Sequence, residues 1–160
     1  MQVAIRPLEE NDAKTSYLWR SDPEIWKYTG SKPNMVVTQQ IEEEWIKEVL
    51  ARKNEIRFAI CVGVDKEYIG NIQLTNITPD NAELHIFIGK KEYHNKGIGT
   101  QATNLLLEYA RKDLKLKEVY LFVNKSNIAA IKAYNKCGFF ETDTTEDKLR
   151  LIKNLNEVNP

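Results

Sequence analysis

The stretch Tyr93-His94-Asn95-Lys96-Gly97-Ile98-Gly99-Thr100 joins an alternating segment, residues 82–89, to an apolar-striped one, residues 97–114. In the first, Leu84, Ile86 and Ile88 fall on one side and Glu83, His85 and Phe87 on the other, the period of a half-buried strand. In the second, Ile98, Ala102, Leu105, Leu106, Tyr109 and Leu114 recur at helical spacing. The junction is therefore a strand-to-helix turn. Gly97 and Gly99 let its backbone bend tightly and approach a ligand closely, since neither carries a Cβ. The helix that follows offers unpaired N–H groups and the positive end of its dipole at the same point. Phosphate or pyrophosphate is the guest such a bend suits. No third glycine completes a dinucleotide-binding fingerprint, and no Gly-Lys-Ser/Thr completes a P-loop.

Toward the N-terminus, residues 58–64 and 68–77 read as strands joined across Asp65-Lys66, followed by a turn at Thr78-Pro79-Asp80-Asn81. Thr38 caps a helix running to about residue 52, with Ile41, Trp45, Val49 and Leu50 as its buried stripe. Its leading Glu42 to Glu44 and closing Arg52-Lys53 match the helix dipole. Residues 3–6 form a short strand stopped by Pro7. Asn11 or Asp12 caps a helix toward Arg20, whose apolar part is Leu18 and Trp19. Ser21-Asp22-Pro23 interrupts it, and a turn-rich stretch with Trp26, Tyr28, Gly30 and Pro33 follows. Its aromatic residues either line a substrate pocket or pack as a lid on the core.

Toward the C-terminus, residues 119–123 are an unbroken apolar run, the pattern of a strand covered on both faces. Ser126 or Asn127 opens another helix, and Gly138 closes it. Residues 139–145 and 148–152 complete a hairpin. The pattern predicts one α+β domain over residues 1–160, a mostly antiparallel sheet with helices on both sides.

Composition narrows the function classes. Lys plus Arg equals Asp plus Glu, 23 against 23, so no global charge draws the chain to nucleic acid or an anionic membrane. The clusters at Lys90-Lys91 and residues 112–117 read as solvated faces. No apolar run reaches the ~20 residues of a membrane span, and no signal-peptide core opens the chain. Cys61 and Cys137 have no zinc spacing, so no metal is expected, and a reduced, cytoplasmic setting is the default.

A second stretch gives the first its chemistry: Asn127-Ile128-Ala129-Ala130-Ile131-Lys132-Ala133-Tyr134-Asn135-Lys136-Cys137-Gly138-Phe139. Asn127 and Tyr134 are seven apart and share a helix face, with Ala130 and Ile131 between them leaving room for a slim ligand. The pair Tyr-x-x-Lys-Gly-Ile-Gly-Thr and Asn-x-x-Ala-x-x-x-Tyr-x-x-x-Gly-Phe resembles the GNAT superfamily of acyl-CoA-dependent N-acyltransferases. The order of elements, the opening Ile5-Arg6-Pro7-Leu8 and the strand motif Ile69-Gly70 resemble it too. Trp19-Arg20-Ser21-Asp22-Pro23 looks like the branch that acetylates ribosomal-protein N-termini, polyamines and nucleotide-linked amino sugars. One position departs: where the family usually has Gln or Arg, three residues before the first loop glycine, His94 stands here.

The resemblance implies α/β/α layers, with a central sheet of about seven strands splayed in the middle. It implies an acetyl-CoA-dependent N-acetyltransferase, with a small amine such as an amino sugar or polyamine as acceptor, or else a protein N-terminus, acting as monomer or homodimer. The alternative is a non-catalytic acyl-CoA-binding module on the same fold. In the enzyme reading the acetyl-CoA pyrophosphate sits on backbone amides from Lys96 through Gly97, Ile98 and Gly99 to Thr100. His94 donates to a phosphate and makes cofactor binding more pH-dependent. The pantetheine arm runs along the strand ending at Phe87 and Ile88, either of which supplies an oxyanion N–H, and passes Asn127 and Ala130. Tyr134 protonates the leaving thiolate, Glu83 or His85 accepts the amine proton, and Trp26 and Tyr28 meet the acceptor.

Overall fold

Alternation of apolar residues decides how this chain layers. The computed structural model describes residues 1–26 and 36–156. Seven strands form one sheet: β1 (Val3–Pro7), β2 (Ile56–Val62), β3 (Glu67–Thr75), β4 (Asn81–Ile88), β5 (Glu118–Asn124), β6 (Phe140–Thr144) and β7 (Lys148–Asn154). Their spatial order is β1-β2-β3-β4-β5-β7-β6, and only the β4–β5 pair is parallel. Helices α1 (Ala13–Arg20), the short α2 (Pro23–Trp26), α3 (Gln39–Leu50), α4 (Ile98–Lys112) and α5 (Ile128–Lys136) complete the described chain.

The main core lies on one face, where Ile60, Ile72, Leu74, Leu84, Val119 and Leu121 meet Ile98, Ala102 and Leu106 of α4. Ala130, Ile131 and Tyr134 of α5 pack against it. On the opposite face Ala59, Cys61 and Tyr68 meet Ala13 of α1 with Trp45 and Ile46 of α3. Helices therefore cover both faces, as the pattern predicts.

Thr38 caps α3 as expected, its Oγ1 accepting from the Ile41 N–H at 3.2 Å. Four expectations shift. The buried stripe of α3 is Glu42, Ile46 and Val49, while Ile41 and Leu50 are exposed, because α3 leans on α1 and turns Glu42 toward Arg20, 3.7 Å away. Leu18 of α1 and Leu105 of α4 are exposed as well, and only Trp19 and Leu106 beside them are buried. Asp12 does not cap α1 with its side chain: it accepts from the Glu9 N–H at 2.8 Å and pairs with Arg6 at 2.7 Å. Last, β5 is covered on one face only. Val119, Leu121 and Val123 are buried, whereas Phe122 is 47% exposed and Tyr120 lies under the Arg150 guanidinium.

The parallel ladder between β4 and β5 is short. It pairs Asn81, Ala82 and Glu83 with Glu118, Val119 and Tyr120 and then stops. Beyond Glu83, β4 continues only against β3, and beyond Tyr120, β5 continues only against β7. The sheet splays at this seam, and one backbone edge of β4 is left facing it.

Candidate functional site

Antiparallel pairing settles which β4 groups face the seam. The Gly89 N–H donates to Ile69 O at 2.7 Å, so Gly89 and Ile69 are a hydrogen-bonded pair. Alternation along the β3–β4 register makes Phe87–Asn71, His85–Gln73 and Glu83–Thr75 hydrogen-bonded pairs too. The amides of Leu84, Ile86 and Ile88 then point the other way, toward β5: Leu84 meets the last rung of the parallel ladder, and Ile86 and Ile88 face the open edge beyond it. Of the two candidate oxyanion residues, Ile88 has its N–H on the seam. Phe87 has its N–H on the β3 side, and its ring stands edge-on to Trp19 at 5.8 Å.

From this edge the chain enters the glycine turn. Asn95 and Gly97 both adopt left-handed backbone, with φ of 60° and 78°. Two such residues around Lys96 curl successive N–H groups into one concavity, a form that binds anions. Asn95 is the residue the sequence reading passed over, although Asn is, after Gly, a residue that tolerates this conformation. The first intrahelical bond of α4 runs from the Gln101 N–H to Gly97 O at 3.2 Å, so the amides of Ile98, Gly99 and Thr100 precede the helical ladder. Lys96 is exposed beside them.

Gly99 tests whether a ligand fits here. Gly63, Gly97 and Gly138 have positive φ, and a Cβ at Gly70 or Gly89 would strike the Phe87 carbonyl or the Trp19 ring. At Gly99 a Cβ would meet only Ile86 Cδ1, at 3.9 Å, with no positive φ. Among the described glycines its small size alone answers no need of the fold. A diphosphate lying against the helix start would supply one.

The turn is held from two sides. Glu67 of β3 accepts from Tyr93 Oη at 2.7 Å and from Lys90 Nζ, and the Lys90 ammonium holds its carboxyl below the usual carboxylate range. Lys91 pairs with Glu24 at 2.6 Å and Asp22 at 3.1 Å, tying the turn to the α1–α2 junction. His94 points its Nε2 at Ile88 O, 2.8 Å away.

The second stretch closes on the first through Cys137, whose buried thiol lies 3.7 Å from the Thr100 carbonyl. Asn127 is the N-cap of α5, its Oδ1 accepting from the Ala130 N–H at 3.2 Å, which leaves its amide NH2 to donate to a ligand. Ala130 is half-buried. Tyr134 is half-buried, its ring 5.7 Å from that of Phe139, and its hydroxyl has no hydrogen-bond partner among the described residues. Burial, with a smaller contribution from Cys137, pushes this phenol up to about 12.

Glu83 and His85 come together on the face away from α4. His85 Nε2 lies 3.2 Å from Glu83 Oε2 and 3.2 Å from Thr75 Oγ1, and Asn76 Nδ2 donates to Glu83 Oε1 at 3.2 Å. Thr75 and Asn76 are partners that nothing in the sequence pattern identifies. Trp26 ends α2; Tyr28, Gly30 and Pro33 lie outside the described residues. No helix among the described residues is long and apolar enough to cross a membrane.

Comparison with known proteins gives a family. A family model described as an acetyltransferase (GNAT) domain matches residues 2–140. Spermidine N(1)-acetyltransferase of Escherichia coli K12 is 31% identical over 141 residues, covering 86% of this chain and 72% of that protein. An uncharacterized Methanocaldococcus jannaschii protein is 24% identical over 143 residues, but this chain spans only 28% of its length. Among solved structures, a spermidine N-acetyltransferase from Vibrio cholerae, in complex with CoA and spermine, superposes with a TM-score of 0.85. Identity there is 25%, over 96% of each chain.

Proposed function

The chain belongs to the acetyltransferase (GNAT) family, an N-acetyltransferase domain with acetyl-CoA as acyl donor, and on that premise we propose that it acetylates a primary amine of a small polyamine. An amino sugar or a protein N-terminus ranks behind. We place it in the cytoplasm, as a monomer or homodimer. The observation that carries the reading is the continuity of amide cradle, open β4 edge and, on the neighbouring helix, a phenol with no hydrogen-bond partner among the described residues. The spermidine acetyltransferases among the relatives support the acceptor.

In this reading the pyrophosphate takes the amides from Lys96 to Thr100, and the pantetheine arm follows the open edge past Ile86 and Ile88. An alkylamine of pKa about 10.4 costs roughly 4–5 kcal/mol to deprotonate at neutral pH. Glu83, with His85 at 3.2 Å, receives that proton, directly or through water. The free amine attacks the thioester carbon, and the Ile88 N–H meets the oxyanion as the tetrahedral centre forms. The C–S bond then breaks, the thiolate departs, and the surplus proton on the attacking nitrogen passes through water to the sulfur, giving amide and free thiol.

Tyr134 faces the departing sulfur. The thiolate of a thiol of pKa near 8.5 is a far weaker base than the phenolate of a phenol pushed up to about 12. Complete transfer from the phenol would be uphill by about 5 kcal/mol. Tyr134 therefore acts as a hydrogen-bond donor to the developing thiolate, staying protonated while the charge forms. Release of free thiol from acetyl-CoA, followed with spermidine, spermine, an amino sugar and a peptide with a free N-terminus, tests the assignment. Turnover should favour the polyamines. Turnover with the peptide alone would replace the acceptor, and CoA binding without turnover of any amine would make this a binding module.

A further inference from the structure

We propose that His94 is a positioning residue for β4, and that it does not bind the cofactor phosphate. The inference rests on the acetyl-CoA reading above and departs from the expectation that His94 donates to a phosphate. A backbone carbonyl can only accept, so the 2.8 Å contact from Nε2 to Ile88 O requires the proton on Nε2. A neutral imidazole carries one ring proton. Its Nδ1 is then a bare lone pair, which a phosphate oxygen repels. The same ring cannot serve both partners while neutral.

What the contact holds is the Ile88–Gly89 peptide unit. Its carbonyl is taken by His94 on the seam side, and its N–H by Ile69 O at 2.7 Å on the β3 side. This is the last peptide of the strand, where the β4–β5 ladder has already stopped and no neighbouring strand steadies the seam edge. With both ends bonded the plane cannot rotate, and the adjoining Ile88 N–H keeps its aim into the seam. His94 also leads directly into the amide cradle at 95–100. It thus ties the site for the thioester to the site for the diphosphate by one hydrogen bond.

The test compares two donors, acetyl-CoA and acetyl-pantetheine, which shares the thioester and arm but has no pyrophosphate. His94→Ala should lower kcat on both donors by the same factor, roughly 10- to 100-fold, as expected when reacting groups are displaced by about 1 Å. His94→Gln, whose amide nitrogen can reach the same carbonyl, should restore most of the loss; His94→Asn, one methylene shorter, should not. A loss confined to acetyl-CoA, seen as a raised KM with acetyl-pantetheine unaffected, would make His94 a phosphate ligand and overturn the proposal. Equal activity of all three variants would overturn it too. Nitrogen NMR of the imidazole in the free protein reads the tautomer independently of turnover: a proton on Nε2 is expected, and a proton on Nδ1 alone would sink the idea. Wild-type protein that neither binds acetyl-CoA nor releases thiol would instead remove the underlying reading, leaving the tautomer result to stand alone.

Discussion

From β1 to β4 every strand pair is antiparallel and helices pack on both faces; from β5 to β6 the sheet is packed on the α4–α5 side, and Phe122 and Phe140 stand half-exposed on the other. Along the sheet the two halves are joined by three ladder pairs. That contrast teaches where a site can form. A strand paired on both edges has no free backbone to offer, while the seam frees one edge of β4 and leads directly into the glycine turn. The first half acts as a wall that holds the amides in place, and the second brings the phenol.

The largest effect should come from two glycines, one in the amide cradle at the seam and one inside the wall. Gly99→Asp puts a carboxylate where the proposed diphosphate site lies, yet its Cβ meets nothing nearer than 3.9 Å. Calorimetric titration with acetyl-CoA should show complete loss of binding with Tm near the wild-type value. Gly70→Ala should do the reverse, because its Cβ drives into the Phe87 carbonyl inside the wall. It should lower Tm clearly, and a Gly99→Asp variant that still binds acetyl-CoA would move the diphosphate elsewhere.

Tyr134→Phe comes next. In the proposed reading it removes one donor at the leaving sulfur, and it should reduce kcat about 100-fold with acetyl-CoA affinity nearly unchanged. Because burial lifts the phenol to about 12, the wild-type enzyme keeps Tyr134 protonated throughout the neutral and mildly alkaline range. No alkaline fall in kcat below about pH 11 should therefore disappear in the variant. An alkaline limb near pH 9 that vanishes with Tyr134 would contradict the buried, protonated phenol.

How much of this was legible depends on whether the cause was local. The Thr38 cap, the turn at Gly97 and the start of α5 at Ser126 or Asn127 are set by residues within four positions, and the sequence pattern locates all three. The α+β layering follows as well, because strand and helix periods differ. Partners that meet through space were hidden. Asp12 answers to Arg6, Glu42 to Arg20, and His94 to a carbonyl six residues back. β5 misled for a physical reason: an apolar run says that side chains avoid water, and Tyr120 under Arg150 partly satisfies that on an open face.

The two halves should also differ in how they tolerate truncation. Ile72→Ala empties a fully buried place in β3 and should cost about 2–5 kcal/mol in denaturant unfolding. Phe122→Ala, from a side chain 47% exposed, should cost far less, about 0.5–1 kcal/mol. Comparable losses at the two sites would mean that the open face of β5 is covered after all.

The smallest expected effect probes the wall itself. Glu42 is 1% exposed and one of its oxygens, Oε1, has no hydrogen-bond partner among the described residues. Burial lifts its carboxyl above the usual carboxylate range, outweighing the opposing pull of Arg20 and Ser16. The folded protein thus holds that proton more tightly than the unfolded chain does. The stability this contributes is fully present below the unfolded value of about 4.3, and is lost as pH rises through the raised folded value. Glu42→Gln keeps the shape and cannot titrate, so its Tm should gain on wild type as pH rises above the unfolded carboxylate value of about 4.3. Parallel Tm curves would show Arg20 carrying the buried charge fully, and an α1–α3 contact held by an ion pair rather than strained by one.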